Sequence, residues 1–199
     1  MTPEEFYEIY KERLIRYLDT LDRKRFAEVV ELIWDVYRRG GTIFVFGNGG
    51  SAATASHFAV DLEKGPLGHR GDRPVRPFRV IALTDSIPVI TAWGNDTGFE
   101  NIFAEPLKAL ARRGDLAVAI SASGNSPNVI KAVETAKEIG VKTIGFCGFD
   151  GGKLAKIVDI ALVVKTGRGE YEVVEDVHDI LHHMITQYLT ERLAGEVDQ

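Results

Sequence analysis

The chain has 199 residues, 45% of them hydrophobic and 27% charged, with a formal net charge of −5. That balance belongs to a globular protein able to bury a core, and the length to about one domain. Net acidity argues against a general nucleic-acid binder, and no apolar stretch approaches the ~20 residues needed to cross a bilayer.

Met1-Thr2-Pro3-Glu4-Glu5 lacks the basic-then-apolar layout of a secretory signal. It reads instead as a capping box with proline at the first helical position, followed by Phe6, Ile9, Tyr10, Leu14, Tyr17 and Leu18 at helical spacing. A second helix is predicted from Asp22 to Arg39, with Phe26, Val29, Val30, Ile33, Trp34 and Tyr37 on one face and Gly40-Gly41 as its stop. Together they form a helical hairpin over residues 1–40, expected to pack beside the rest or against another subunit.

From Thr42 the pattern becomes short apolar runs separated by helical stretches: Ile43 to Phe46, Phe78 to Leu83, Leu116 to Ile120, Thr143 to Phe146 and Ile160 to Val164. Runs without polar alternation are what buried parallel strands look like. Residues 41–199 therefore read as an α/β fold, a doubly wound five-stranded parallel sheet, continuous with the hairpin as one domain.

Two loops follow such runs and open helices: Gly47-Asn48-Gly49-Gly50-Ser51 and Ser121-Ala122-Ser123-Gly124-Asn125-Ser126. Glycine lets backbone approach an anion, serine hydroxyls donate to its oxygens, and the N–H groups of the following first turn add partial positive charge. Ligands of open α/β sheets bind beyond the carboxyl ends of the strands, where both loops fall, so a phosphorylated small molecule held from two sides is expected. Gly47-x-Gly49-x-x-Ala52 formally fits the dinucleotide fingerprint, but that motif wants an acidic residue about 20 positions on, closing the second strand, whereas here the second strand ends near Thr84-Asp85 after a long insertion and Asp61 falls within the helix; no nicotinamide is expected. No Walker lysine pattern occurs.

On the helix opened by Ser51, His57 and Asp61 are four residues apart and share a face. The stretch Gly65 to Pro77 reads as a surface loop, and Lys64, His69, Arg70, Arg73, Arg76 and Arg79 crowd around it, a solvated loop or an aid in drawing in an anion. Asn95-Asp96 reads as a polar turn near a strand end. Ser126-Pro127 begins a crossover helix that Gly140 closes. Cys147, the single cysteine, lies at an apolar strand end and reads as a core filler; without a disulfide framework the expected location is cytoplasmic.

The C-terminal helix carries Glu175, Asp176, His178, Asp179, His182 and His183, placing three of the chain's five histidines in nine positions. Histidine and carboxylate are the ligands of a zinc-like ion where cysteine is absent, and the usual general bases near neutral pH. Spacing puts Glu175, His178 and His182 on one face, with His183 turned about 100° from His182. It does not decide which of them converge, and a charged outer face with one buried, hydrogen-bonded histidine fits equally well.

Gly47-Asn48-Gly49-Gly50-Ser51, His57, Gly94-Asn95-Asp96, Ser121-x-Ser123-Gly124-Asn125-Ser126-x-Asn128-Val129, Gly148-x-Asp150-Gly151-Gly152-Lys153 and Glu175-Asp176-x-His178, in that order, resemble the phosphoheptose isomerases of the sugar isomerase (SIS) superfamily. The likeness runs over nearly the whole chain. It implies conversion of sedoheptulose 7-phosphate to D-glycero-D-manno-heptose 7-phosphate by a metal-assisted enediol route, toward activated heptose for surface glycans. It also implies a homotetramer with sites shared between subunits. Carried over by position, Ser51, Ser121, Ser123 and Ser126 would hold phosphate, and Asn48, Gly49, Gly50, Asn95 and Asp96 the sugar, with Ala122 also among the substrate-binding residues. Zinc would fall on His57, Asp61, Glu175 and His183, with Asp61 or Glu175 as base and His183 as acid. The family carries glutamate where this chain has Asp61 and glutamine where it has Glu175. Two other readings stand beside this one: a non-catalytic SIS module that senses a sugar phosphate or binds a partner protein, and an isomerase of another ketose phosphate.

Overall fold

The computed structural model describes residues 1–68 and 76–195. Helix α1 (Pro3–Asp19) opens with the expected capping box, Glu5 N donating to Thr2 Oγ1 (3.2 Å) and Thr2 N to the Glu5 carboxylate (2.8 Å). Helix α2 (Arg23–Arg39) is capped by the Asp22 carboxylate and stops at Gly40, whose φ of 76° suits glycine.

Five strands follow, β1 (Thr42–Gly47), β2 (Arg79–Ala82), β3 (Leu116–Ser121), β4 (Lys142–Gly148) and β5 (Ile160–Val164). They pair in parallel in the order β2-β1-β3-β4-β5. Between and after them run α3 (Gly50–Gly68), α4 (Ile87–Thr97), a 3-10 turn at Phe99–Asn101, α5 (Ala104–Leu110), α6 (Pro127–Ile139), α7 (Leu154–Ile157) and α8 (Tyr171–Ala194). Apolar residues of α2, α3 and α8, among them Ile33, Phe58, Leu62, Val177 and Leu181, cover one face of the sheet; Leu107, Val129 and Val133 of α5 and α6 cover the other. Strands β1 and β3, central in the sheet, are buried along their whole length, whereas β2 lies at the edge with Ile81 exposed. Cys147 is buried, and burial pushes its thiol up to about 12, consistent with packing rather than reactivity.

Several local expectations need correction. The surface loop does not begin at Gly65: α3 continues through Gly68 with Pro66 inside it. Its packing on α8 overrides the breaker, since a Cβ on Gly65 would already stand 3.3 Å from Thr186 Cγ2. Asn95-Asp96 is the last turn of α4, not a loop, because Ser86 and Pro88 start a helix that the turn-forming residues end. Of the basic segment, His69, Arg70 and Arg73 lie outside the described residues. Arg76 donates to the Tyr37 carbonyl and stacks 4.7 Å over its ring, and Arg79 Nε donates to Thr42 Oγ1 (3.4 Å). These two cations brace the end of α2 and the sheet edge.

Helix α1 buries no residue; it is fixed to α8 by polar bonds, Tyr10 Oη donating to Asp176 (2.5 Å), Tyr17 Oη to Glu170 (2.7 Å) and Arg13 to Glu170. Among the described residues, no helix is long and apolar enough to cross a membrane.

Candidate active site

Both predicted loops lie at the carboxyl ends of adjacent strands. Gly47 leaves no room for a side chain, since a Cβ there would stand 2.7 Å from the Ile120 carbonyl oxygen and 2.8 Å from Ser51 Cβ, so β1 and β3 can end side by side. The loops are joined by reciprocal amide bonds, Asn48 Nδ2 donating to Asn128 Oδ1 (2.9 Å) and Asn128 Nδ2 to Asn48 Oδ1 (2.8 Å). Ser126 N-caps α6 without making a side-chain cap bond, and its Oγ lies 3.3 Å from Ser121 Oγ. Pro127 has no N–H and Val129 N donates to Asn128 Oδ1 (3.0 Å), so the first turn of α6 offers the Asn128 N–H to an acceptor from outside. Gly148-x-Asp150-Gly151-Gly152-Lys153 proves to be a bracket for the serine loop: Leu154 N donates to the Gly124 carbonyl (2.9 Å) and Lys153 N to Asn125 Oδ1 (3.0 Å).

The result is a cavity of about 220 Å³ lined by Asn48, Ser51, Ser121, Ala122, Ser123 and Ser126, closed by Tyr171 and Glu175. A second cavity of about 500 Å³ is lined by Gly50, Thr54, His57, Glu172, Glu175 and Asp179, among others. Glu175 belongs to both. Burial, then the neighbouring Glu172, Asp179 and Asp176 carboxylates, raise its pKa above the ordinary glutamate value, toward the range useful for proton transfer near neutrality. Asn95 and Asp96 line neither cavity; both are exposed on α4, with Asn95 Nδ2 donating to Asp96 Oδ1 (2.8 Å).

Where α3 crosses α8, four predicted candidates meet. Asp61 Oδ2 stands 3.5 Å from His57 Nε2, 3.5 Å from His182 Nδ1 and 3.6 Å from His183 Nε2, and one donor atom from each of the four lies within 4.8 Å of all the others. His183, although turned away from His182 along α8, reaches the group because His57 packs edge-on to both imidazoles, at ring distances of 4.7 and 4.9 Å. Burial, then His183 and His57, lower the His182 pKa to about 4, so its ring is neutral at physiological pH and able to ligate. Three imidazoles and a carboxylate can hold a divalent metal ion. Glu175 stands outside this quartet, its carboxylate against Gly50. His178, by contrast, is fully buried under Phe146, donates from Nε2 to the Cys147 carbonyl (3.2 Å) and is held neutral by burial, its pKa lowered to about 4. It is the structural histidine.

Residues 5–148 match the family model of the SIS domain. The phosphoheptose isomerase of Geotalea daltonii is 44% identical over 172 residues, 86% of each chain. The chain belongs to the phosphoheptose isomerase family. Among solved structures of that family, the phosphoheptose isomerase from Neisseria gonorrhoeae is 32% identical with a TM-score of 0.84, covering 94% of this chain and 98% of that one. The one from Francisella tularensis is 27% identical with a TM-score of 0.82, covering 96% and 100%. Both share the parallel sheet with N-terminal helices described above. Residues of the site that sequence reasoning did not single out are Asn128, Tyr171 and Thr54. Asn128 stood inside the serine motif, but nothing in spacing reveals that it reaches across to Asn48.

Proposed function

We propose that this phosphoheptose isomerase converts sedoheptulose 7-phosphate to D-glycero-D-manno-heptose 7-phosphate. The observation that carries the reading is Glu175, which forms a wall common to the serine-lined cavity and to the larger one that His57 lines. A substrate whose phosphate sits among Ser51, Ser121, Ser123 and Ser126, at the N-terminal end of α6, extends its reacting carbons past this carboxyl group.

Asn48, Gly49 and Gly50 would hold sugar hydroxyls between the two ends. Asp61 is committed to three imidazoles, which leaves Glu175 as the base that takes the proton beside the carbonyl. His183, half-exposed with Nε2 turned to Asp61, would supply a proton to the neighbouring carbon from its other ring nitrogen. A zinc ion held by His57, Asp61 and His183 would act as electrophile toward the enediolate oxygen. Asn95 and Asp96 would complete the site from a neighbouring protomer of a homotetramer, in the cytoplasm; α4, which buries no residue within the chain, has the free surface this requires.

The test is NMR of sedoheptulose 7-phosphate incubated with the purified protein and zinc in heavy water. Deuterium at the second carbon of an aldose product is the expected result. Binding without turnover, for this and for shorter ketose phosphates, would mark a sensor instead. Light scattering reports the tetramer.

A further inference from the structure

We infer that His182, and not Glu175, completes the metal's ligand set, so that this chain holds its ion with three imidazoles and the Asp61 carboxylate. This rests on the metal reading proposed above and departs from the set that family resemblance implies. Four donors each about 2.0–2.1 Å from one ion at tetrahedral angles stand roughly 3.4 Å from one another. The spacings of Asp61 Oδ2 to His57 Nε2, His182 Nδ1 and His183 Nε2 are 3.5, 3.5 and 3.6 Å before any ion enters.

His182 is fully buried, stacked on Phe58, yet neither ring nitrogen makes a hydrogen bond. Buried polar atoms without partners are rare and call for one. Nδ1 faces the cluster. Nε2 lies 3.5 Å from Asp179 Oδ1, and that oxygen accepts from Thr54 Oγ1 (2.7 Å). A carboxylate behind the far nitrogen, itself anchored, is the arrangement that fixes tautomer and ring orientation of a ligating histidine. Glu175 has no such placement; its carboxylate is turned to Gly50 and the substrate cavities.

The experiment uses the full chain stripped with a chelator, titrated with Zn²⁺ by calorimetry and with Co²⁺ by visible absorption, alongside melting of the metal-free protein. His182→Leu is expected to weaken Zn²⁺ binding by more than about tenfold and to change the Co²⁺ spectrum, while the metal-free protein melts no lower, since an unpartnered imidazole has been replaced by an apolar group. Asp179→Asn, at a partly exposed position, is expected to cost about 10–100-fold in Zn²⁺ affinity. Glu175→Ala is expected to leave affinity and spectrum unchanged. Zn²⁺ affinity and Co²⁺ spectrum unchanged in His182→Leu, with both lost in His57→Ala, would overturn the inference and leave the metal reading standing; loss in Glu175→Ala would overturn it in favour of the family's set. A wild-type chain that binds neither ion would overturn both.

Discussion

Asn48 and Asn128 clasp each other through two amide hydrogen bonds, and so fasten the glycine loop after β1 to the first turn of α6. Asn128 Oδ1 also accepts from Val129 N (3.0 Å) in a buried setting. Asn128→Ala is therefore expected to cost about 1–3 kcal/mol of stability, measured by urea unfolding. It should also raise KM more than it lowers kcat, since the phosphate grip is loosened while Glu175 stays in place. An unchanged KM would mean that the two loops hold their spacing without the clasp.

Gly50 is small because Glu175 needs the space: a Cβ at position 50 would press into the Glu175 carboxylate. Gly50→Ala should displace that group by an amount on the order of 1 Å, and kcat should fall by about a hundredfold. Zinc content, read by metal analysis, should not change, because Glu175 lies outside the imidazole cluster.

The raised pKa of Glu175 gives the pH profile a direction. A base must be ionised, so the acidic limb of kcat/KM is expected above the ordinary glutamate value, and Glu175→Asp should keep a limb that Glu175→Gln loses along with turnover. For stability, a folded-state pKa raised above the unfolded one means that the contribution is fully present below the unfolded value of 4.5 and is lost as pH rises through the folded one. Glu175→Gln should therefore be more stable than wild type at pH 7, as urea midpoints will show.

His178 works in the opposite sense. Its pKa falls from 6.5 unfolded to about 4 in the fold, so stability is present above pH 6.5 and is lost as pH drops toward 4, by up to about 3 kcal/mol. Replacing it by glutamine, which can still donate to the Cys147 carbonyl, should flatten the fall in urea midpoint between pH 7 and 5. A slope equal to wild type would place the acid sensitivity elsewhere.

Chelation should abolish turnover, and zinc should restore it. A metal held by the folded cluster binds the native state alone, so zinc at a hundred times its Kd should stabilise by about 2.7 kcal/mol, visible as a rise in Tm of several degrees. A Tm indifferent to zinc would count against the site.

Much of the architecture was legible from local rules. Thr2 announced a helix by its capping chemistry, Gly40 and Gly140 ended two, and unbroken apolar runs marked the parallel strands. The same rules failed at Pro66 and at Asn95-Asp96, where a breaker and a turn pair sit inside helices that packing or an upstream proline had already committed. At the site, periodicity correctly paired His57 with Asp61 along one helix but was silent on α8. Whether His178, His182 or His183 meets them depends on how α3 crosses α8, a long-range property that spacing along one element does not encode. Sequence reasoning thus grouped Glu175, His178 and His182, whereas the crossing sorts them into a cavity wall, a core donor and a member of the imidazole cluster.

The helices that present the imidazoles also fill the core, Phe58 and Leu62 from α3 and Leu181 and Ile185 from α8. The backbone positions that carry the cluster are therefore fixed when the chain folds, not when an ion arrives. Unlike a zinc finger, which is unstructured until loaded, this chain should meet its cation as a finished receptor, with capture fast, reversible and independent of refolding.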